Sequence, residues 1–307
     1  MAEFDFVIIG AGAAGEACAY EARRLGASVA IIDRELFGGS CPFWACMPSK
    51  ALLHASGVHA LGGDYPWPRA SDFRDYIINR EKRDLPDDSG HVKRLRDAGA
   101  EVIRGTAKVV GPGHVRIAVE GGHKEVNGKH LVVAVGTHSA VPDLPGLGSI
   151  AAWTNREATS ARELPRSLLV LGGGPTGVEM AQVLARYGVP VALVHPRDHI
   201  NHRDHPRNSE YVAEGLRRDG VTLRLGVRAE RVLSGAGADG AHRFELSDGS
   251  HVDAHEVLFA IGRTAPLPNL GLETLAVALD DKGRVKPDEH LRIADDTYVI
   301  GGPAGLE

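Results

Sequence analysis

Aromatic residues make up only 5% of this 307-residue chain, and cysteine is nearly absent, with three residues. Three cysteines cannot build a disulfide scaffold, which excludes the small stapled secreted folds. No apolar run approaches the ~18 residues of a membrane-spanning helix; Phe6–Ile9 and Leu131–Val135 are among the longest. No basic leader precedes the first turn at Gly10, so no signal peptide is expected. Neither sign of charge dominates: 35 Lys and Arg stand against 40 Asp and Glu, a net of −5. That balance gives no reason to expect a nucleic-acid or membrane partner. With 43% hydrophobic residues, a largely disordered chain is excluded too. A cytoplasmic globular protein of about two domains is expected. What is abundant is glycine, at 38 residues. Glycine suits loops that must approach a ligand closely.

The glycines fall into an internal repeat. The apolar run at 4–9 is followed by Gly10-Ala-Gly12-Ala-Ala-Gly15, a helical stretch at Glu16–Leu25 and a second apolar run ending at Asp33. The run Ser167–Leu171 is followed by Gly172-Gly-Gly174-Pro-Thr-Gly177, a helical stretch at Val178–Tyr187 and a run ending at His195. Gly10 to Asp33 and Gly172 to His195 both span 23 positions. Each copy reads strand, glycine turn, helix, strand, which is the context a dinucleotide fingerprint requires. The first glycine allows the tight turn, the second admits a diphosphate, and the third lets helix and strand pack. The helix N-terminus offers N–H groups and partial positive charge to the phosphates. Two dinucleotides are therefore expected.

Residues 41–60 read as helical, and 70–98 has apolar positions at helical spacing. Glu101–Ile103, Val115–Val119, His130–Val135, Thr222–Leu225, Arg243–Leu246 and Glu256–Ile261 read as strands. Ser234–Gly240 reads as a hairpin tip, and Pro142–Leu147 as a crossover between domains. The expected fold is α/β: two three-layer Rossmann-like domains, the second inserted in the first. The expected boundaries are 1–148, 149–264 and 265–307.

Cys41 and Cys46 stand in the segment GGSCPFWACMPSK (38–50). Together with AVGT (134–137), WTNREA (153–158), GGGPTGVEMA (172–181) and AIGR (260–263), it resembles the pyridine nucleotide-disulfide oxidoreductases. That family includes dihydrolipoamide dehydrogenase, glutathione reductase and mercuric reductase, and the resemblance covers essentially the whole chain. It implies a redox-active pair at Cys41 and Cys46. Five residues of regular helix rise ~7.5 Å and point the side chains apart. A disulfide needs Cα atoms within about 6.8 Å. A Cys41–Cys46 bond would therefore need a distorted first turn, where Pro42 is suited. A thiol at a helix start is an accessible nucleophile. A metal pair and two passive thiols are the rival readings; no second cysteine pair or histidine stands at ligand spacing, and no metal is expected. Cys18, among alanines of the first helix, reads as a packed residue.

By resemblance, Cys46 is the thiol beside the flavin and Cys41 the one that attacks substrate. Lys50 is implied near the flavin and paired with Glu179; a plain surface pair is the rival. FAD is implied on Gly10, Gly12, Gly15, Asp33, Gly39, Ser40, Ala134 and Gly136, with Gly105–Ala107 against adenine. Gly262 and Arg263 fall near the FAD diphosphate, and Gly302 stands where the family places an aspartate. The second dinucleotide is implied on Gly172, Gly174 and Gly177. There the acid equivalent to Asp33 is replaced by His195, followed by Arg197 and Arg203. An acid repels a 2′-phosphate, whereas arginine and protonated histidine favour one. NADP(H) is therefore expected in preference to NAD(H), the rival being a solvated basic loop.

The resemblance also implies a further domain that makes a dimer and supplies a His–Glu acid/base pair. None of the 15 histidines stands in such a motif, so the oligomeric state is left open and disulfide turnover is expected to be slow. His54 reads as a neighbour of the redox helix rather than a substitute base. The expected activity is hydride transfer from NADPH through FAD to Cys41–Cys46 and on to a small disulfide or related acceptor. Alternatives are an NADPH–flavin oxidase or carbonyl-type enzyme on the same fold, and a non-catalytic dinucleotide-binding module.

Overall fold

The computed structural model describes residues 2–81 and 83–305. The chain begins β1 (Ala2–Ile9), α1 (Ala13–Arg24), β2 (Val29–Asp33), α2 (Ser40–Phe43) and α3 (Cys46–Ala60). Next come α4 (Trp67–Ile77), α5 (Ser89–Asp97), β3 (Glu101–Arg104), β4 (Thr106–Gly111), β5 (His114–Val119) and β6 (Gly122–Val133). The middle holds β7 (His138–Ser139), α6 (Asn155–Ser160), β8 (Leu168–Leu171), α7 (Pro175–Arg186), β9 (Val191–His195), α8 (Pro206–Arg218) and β10 (Thr222–Leu225). The last strands are β11 (Ala229–Leu233), β12 (His242–Leu246), β13 (His251–Ala254), β14 (Glu256–Phe259), β15 (Arg263–Thr264), β16 (Arg292–Ala294) and β17 (Thr297–Val299).

Two compact units result. The first comprises Met1–Phe43, Arg83–His138 and Thr264–Glu307; the second comprises Trp44–Lys82 and Ser139–Arg263. In the first, β3, β2, β1, β6 and β17 lie side by side in parallel. A parallel sheet covered on both faces needs apolar side chains in both directions, which explains the unbroken apolar runs. Ile8, Val29, Ile31 and Val132 point to one face, where Ala19 and Ala22 of α1 and Leu95 of α5 cover them. Val7, Ile9, Ala30, Ile32 and Val133 point to the other, against Val109, Val115 and Ile117 of the antiparallel β4–β5 pair and Leu267, Leu270 and Leu272.

The second unit repeats the plan around the parallel order β10-β9-β8-β14. Leu168 and Val170 face Met180, Ala181 and Leu184 of α7. Leu169 and Leu171 face the antiparallel β11–β13 sheet through Val232, Phe244 and Leu246. Leu52 and Ala55 of α3 and Trp67 and Ala70 of α4 join the α7 side of this core. That burial is why 44–82 groups with the second unit, whereas the expected boundaries put it within 1–148. The other crossings fall after His138 and after Arg263, against 148 and 264 expected. A fully buried Arg74 ties α4 to the end of α6 by donating to the Thr159 and Ala161 carbonyls. Its charge is matched by Asp75 at 2.6 Å, as a buried cation requires. Among the described residues no helix is long and apolar enough to cross a membrane.

Candidate redox and dinucleotide sites

The first glycine turn joins β1 to α1. Gly10 has φ +105°, and a Cβ on it would lie 2.2 Å from the Ala134 carbonyl oxygen. A Cβ on Gly15 would lie 2.0 Å from the Gly10 oxygen. No side chain at these two positions is compatible with the turn. Around Gly12 the space is open, the nearest atom being the Cα of Gly39 at 3.9 Å. No side chain caps the N-terminus of α1. An open glycine before uncapped N–H groups offers the close backbone approach and the donors that a diphosphate needs. Asp33 closes the turn, its carboxylate accepting from Ala11 N at 2.7 Å and from Glu35 N at 2.8 Å. Burial pushes the Asp33 carboxyl above the usual carboxylate range, against these two N–H groups.

The other sequence-predicted residues of this unit are spread around the same sheet edge. Ala134 directly follows β6, and Gly136 lies two residues on. Gly39 and Ser40 lead into α2, and Gly38 N donates to the Ala11 oxygen at 2.7 Å. Gly105 N donates to the Asp33 carbonyl at 2.8 Å, and Ala107 pairs with Ile117 in β4–β5. Gly302 opens a short 3-10 turn ending at Ala304.

The second turn, between β8 and α7, repeats the first. Gly172 has φ +118° and a Cβ on it would lie 2.2 Å from the Ala260 oxygen; one on Gly177 would lie 2.0 Å from the Gly172 oxygen. No atom stands within 4 Å of the Cβ position of Gly174, and α7 has no side-chain cap. His195 takes the place of Asp33, its Nδ1 accepting from Gly173 N at 3.1 Å. Burial first, then the charges of His202, Arg197 and His199, push the imidazole below its ordinary value. His195 thus accepts through Nδ1 in this structure, where the sequence reading expected a nearby phosphate to favour its protonated form. Its Nε2 is buried with no partner among the described residues. The positive charge rests instead on Arg197 and Arg203, both exposed, whose guanidinium groups have no hydrogen bond or ion pair among the described residues. Asp198 is engaged by His199 at 2.5 Å. A groove of about 610 Å³ runs beside Gly172, lined by Leu144, Leu171, Val194, Pro196 and Ile261. Gly262 lies next to it, its carbonyl accepting from Ala140 N at 2.9 Å, and Arg263 begins β15.

The cysteine segment, read as helical over 41–60 with a distorted first turn if Cys41 and Cys46 pair, is two helices. α2 ends at Phe43 and α3 begins at Cys46, with Ala45 between them at φ −132°, ψ −94°. The break frees backbone carbonyls, and the Trp44 oxygen accepts from Asn155 Nδ2 at 2.7 Å and Thr159 Oγ1 at 3.3 Å. The Arg156 guanidinium lies 5.3 Å over the Trp44 ring. All three partners belong to α6, whose start is fixed by reciprocal capping between Thr154 and Glu157. Cys41 and Cys46 are both exposed thiols. One turn beyond Cys46, Lys50 Nζ donates to Glu179 Oε1 of α7 at 2.6 Å. Cys18 is half-buried in α1, and burial pushes its thiol up, away from nucleophilic use. His54 is exposed and meets the rings of Tyr65 and Phe73 at 6.3 Å.

The sequence reading missed the Asn155–Trp44 bond and a contact between Glu16 and His91 at 2.9 Å. WTNREA marked the first region; nothing in the sequence marked the second.

The geometry can be set beside known proteins. The model of the pyridine nucleotide-disulphide oxidoreductase family matches residues 4–305. The chain belongs to this family. Its members are flavin-dependent and use a pyridine nucleotide. Mercuric reductase of Bacillus cereus is 28% identical over 307 residues, covering 98% of this chain and 48% of the relative. Dihydrolipoyl dehydrogenase of Rhizobium etli is 32% identical over 340 residues, covering 99% and 68%. The Cu(II) complex of the HOCl-induced flavoprotein disulfide reductase RclA from Escherichia coli matches with a TM-score of 0.89 at 25% identity, covering 100% of this chain and 67% of that one. The chain thus spans about half the length of that mercuric reductase and two thirds of the other two.

Proposed function

We propose that this chain is an FAD-dependent oxidoreductase that passes electrons from NADPH to the Cys41–Cys46 pair and on to a small disulfide or related acceptor, in the cytoplasm. The observation that carries the reading is the break at Ala45, which leaves two exposed thiols on separate helices five positions apart. A continuous helix would point them apart. The two glycine cradles support two dinucleotides, with FAD at the carboxylate-closed turn. When bound, the flavin supplies two-electron exchange between nicotinamide and sulfur.

The residues divide the remaining work. Cys41 as thiolate attacks one sulfur of the acceptor, forming a mixed disulfide and releasing the first thiol. Cys46 then attacks Cys41, breaking the mixed disulfide, releasing the second thiol and forming the Cys41–Cys46 bond. Two electrons return the pair to the dithiol. Lys50 is held by Glu179 one turn from Cys46, fixing its charge on that side of α3. Asn155 and Thr159 hold the Trp44 carbonyl and so maintain the break. For the second dinucleotide, Arg197 and Arg203 offer forks suited to a 2′-phosphate.

Replacing each cysteine by serine tests the assignment. In Cys41→Ser the remaining Cys46 should give the long-wavelength absorption of a thiolate against oxidised flavin, and Cys46→Ser should lack it. The band in Cys46→Ser alone would reverse the roles.

A further inference from the structure

We propose that Glu16 and His91 form a positioning pair for the flavin site, pinning both the phosphate end of α1 and the Cys41-bearing turn to the start of α5. The inference rests on the FAD reading above. Glu16 is the acidic residue in the first turn of α1, and its own N–H donates to the Gly12 oxygen at 2.9 Å. A carboxylate there favours the helix dipole but opposes a diphosphate bound at the same end. His91 Nδ1 meets both its oxygens, at 2.9 and 3.1 Å. The carboxylate is thus held in a hydrogen-bonded pair with His91. The pair is mostly buried, at 22% and 12% side-chain exposure.

The same imidazole reaches the cysteine turn. A Cβ on Gly38 would lie 2.8 Å from His91 Cε1 and Nε2, so the ring lies directly against the Gly38 backbone. Its centroid is 5.7 Å from that of Phe43, edge-on, and Phe43 is the buried end of the helix that carries Cys41. Just before α5, Asp88 accepts from Phe37 N at 2.7 Å and from Arg104 Nη2 at 2.6 Å. The start of α5 therefore holds residues 37–43 at three points, and His91 is the one that links them to α1. Gly38 N donating to the Ala11 oxygen closes the circuit. Loosening His91 should release the turn on both sides.

The test uses the full 307-residue chain, with FAD affinity read by flavin fluorescence. His91→Ala should weaken FAD binding roughly tenfold, the low end for a lost charged hydrogen bond. Glu16→Gln, which keeps shape and a neutral bond, should weaken it by a smaller factor, and His91→Phe, which keeps the ring but not Nδ1, should not restore it. The double variant Glu16→Gln, His91→Ala should lose no more than His91→Ala alone. Unchanged NADPH affinity in each variant shows that the second unit is folded. Wild-type affinity in His91→Ala, tighter binding in Glu16→Gln, or full rescue by His91→Phe would each overturn the proposal. A second readout is independent of flavin: in the flavin-free chain, alkylation of Cys41 should speed up in His91→Ala while that of Cys46 does not. Failure of the wild-type chain to bind FAD would sink the FAD reading, and the alkylation rates would then decide the pin alone: equal rates reject it.

Discussion

The turns at Gly10–Gly15 and Gly172–Gly177 have the same backbone bonds and close on different side chains. In each, a Cβ on the first glycine would meet the carbonyl just after a parallel strand, at Ala134 or Ala260, and one on the third would meet the carbonyl of the first. In each, the residue after the first glycine donates its N–H to the side chain ending the next strand, Asp33 at 2.7 Å or His195 at 3.1 Å. An anionic acceptor and a neutral one thus do the same structural work. The turn's shape is therefore set by glycine packing and by any acceptor of the right reach. Under the proposed reading, ligand choice is set by charge: the second site has a histidine where the first has a carboxylate, and two arginines beside it.

The largest effect should come from adding a methyl group to one turn at a time. Gly10→Ala and Gly172→Ala each force a Cβ to within 2.2 Å of a carbonyl oxygen, a clash and strain of ~2–4 kcal/mol. Gly10→Ala should abolish FAD retention, and Gly172→Ala should abolish NADPH binding while FAD stays bound, as read by flavin absorbance and NADPH titration. Loss of both ligands in either variant would break the picture of two separable cradles.

Next in size is the charge difference. Arg197→Ala and Arg203→Ala should each weaken NADPH binding about tenfold and leave NADH unchanged. Equal use of both nucleotides by the wild-type chain, with neither variant altered, would make the loop mere surface. Sharpening the comparison further, the two closing side chains should respond to pH with opposite sign. His195 is depressed below 6.5, so its contribution is complete above that value and is lost as pH falls through the folded value. Asp33 is raised above 3.8, so its contribution is complete below that value and is lost as pH rises through the folded one. Between pH 7 and 5, the stability contributed by the His195 closure should therefore fall while that of Asp33 does not, as read by the melting temperature of the chain. His195→Gln, a permanently neutral acceptor, should flatten the part of that fall owed to His195. An unchanged profile in His195→Gln would assign it wholly to other groups.

The sequence carried the parts of the fold that are periodic or spaced. The parallel strands are unbroken apolar runs, and the glycine spacing placed both turns and both helices after them. The antiparallel covers were harder: β11 and β13 are short and half-exposed, with no apolar run to mark them. A distorted turn near Pro42 was legible from the cysteine spacing, but its place at Ala45 was not, because the carbonyl beside it is held by Asn155, 111 residues away. The grouping of 44–82 depends on which faces of α3 and α4 are buried. The pairing of Glu16 with His91 spans 75 residues and has no local signal. That His195 is buried and that its Nδ1 accepts from Gly173 N could not be read from the composition of a basic loop.

The most direct test of the central claim is to count NADPH-dependent thiols. The oxidised, FAD-loaded chain is reduced anaerobically with one equivalent of NADPH, labelled with a thiol reagent and mapped by mass spectrometry. The account predicts two new labels per flavin, at Cys41 and Cys46, with Cys18 unchanged. Flavin that is reduced while neither cysteine becomes newly reactive would contradict it.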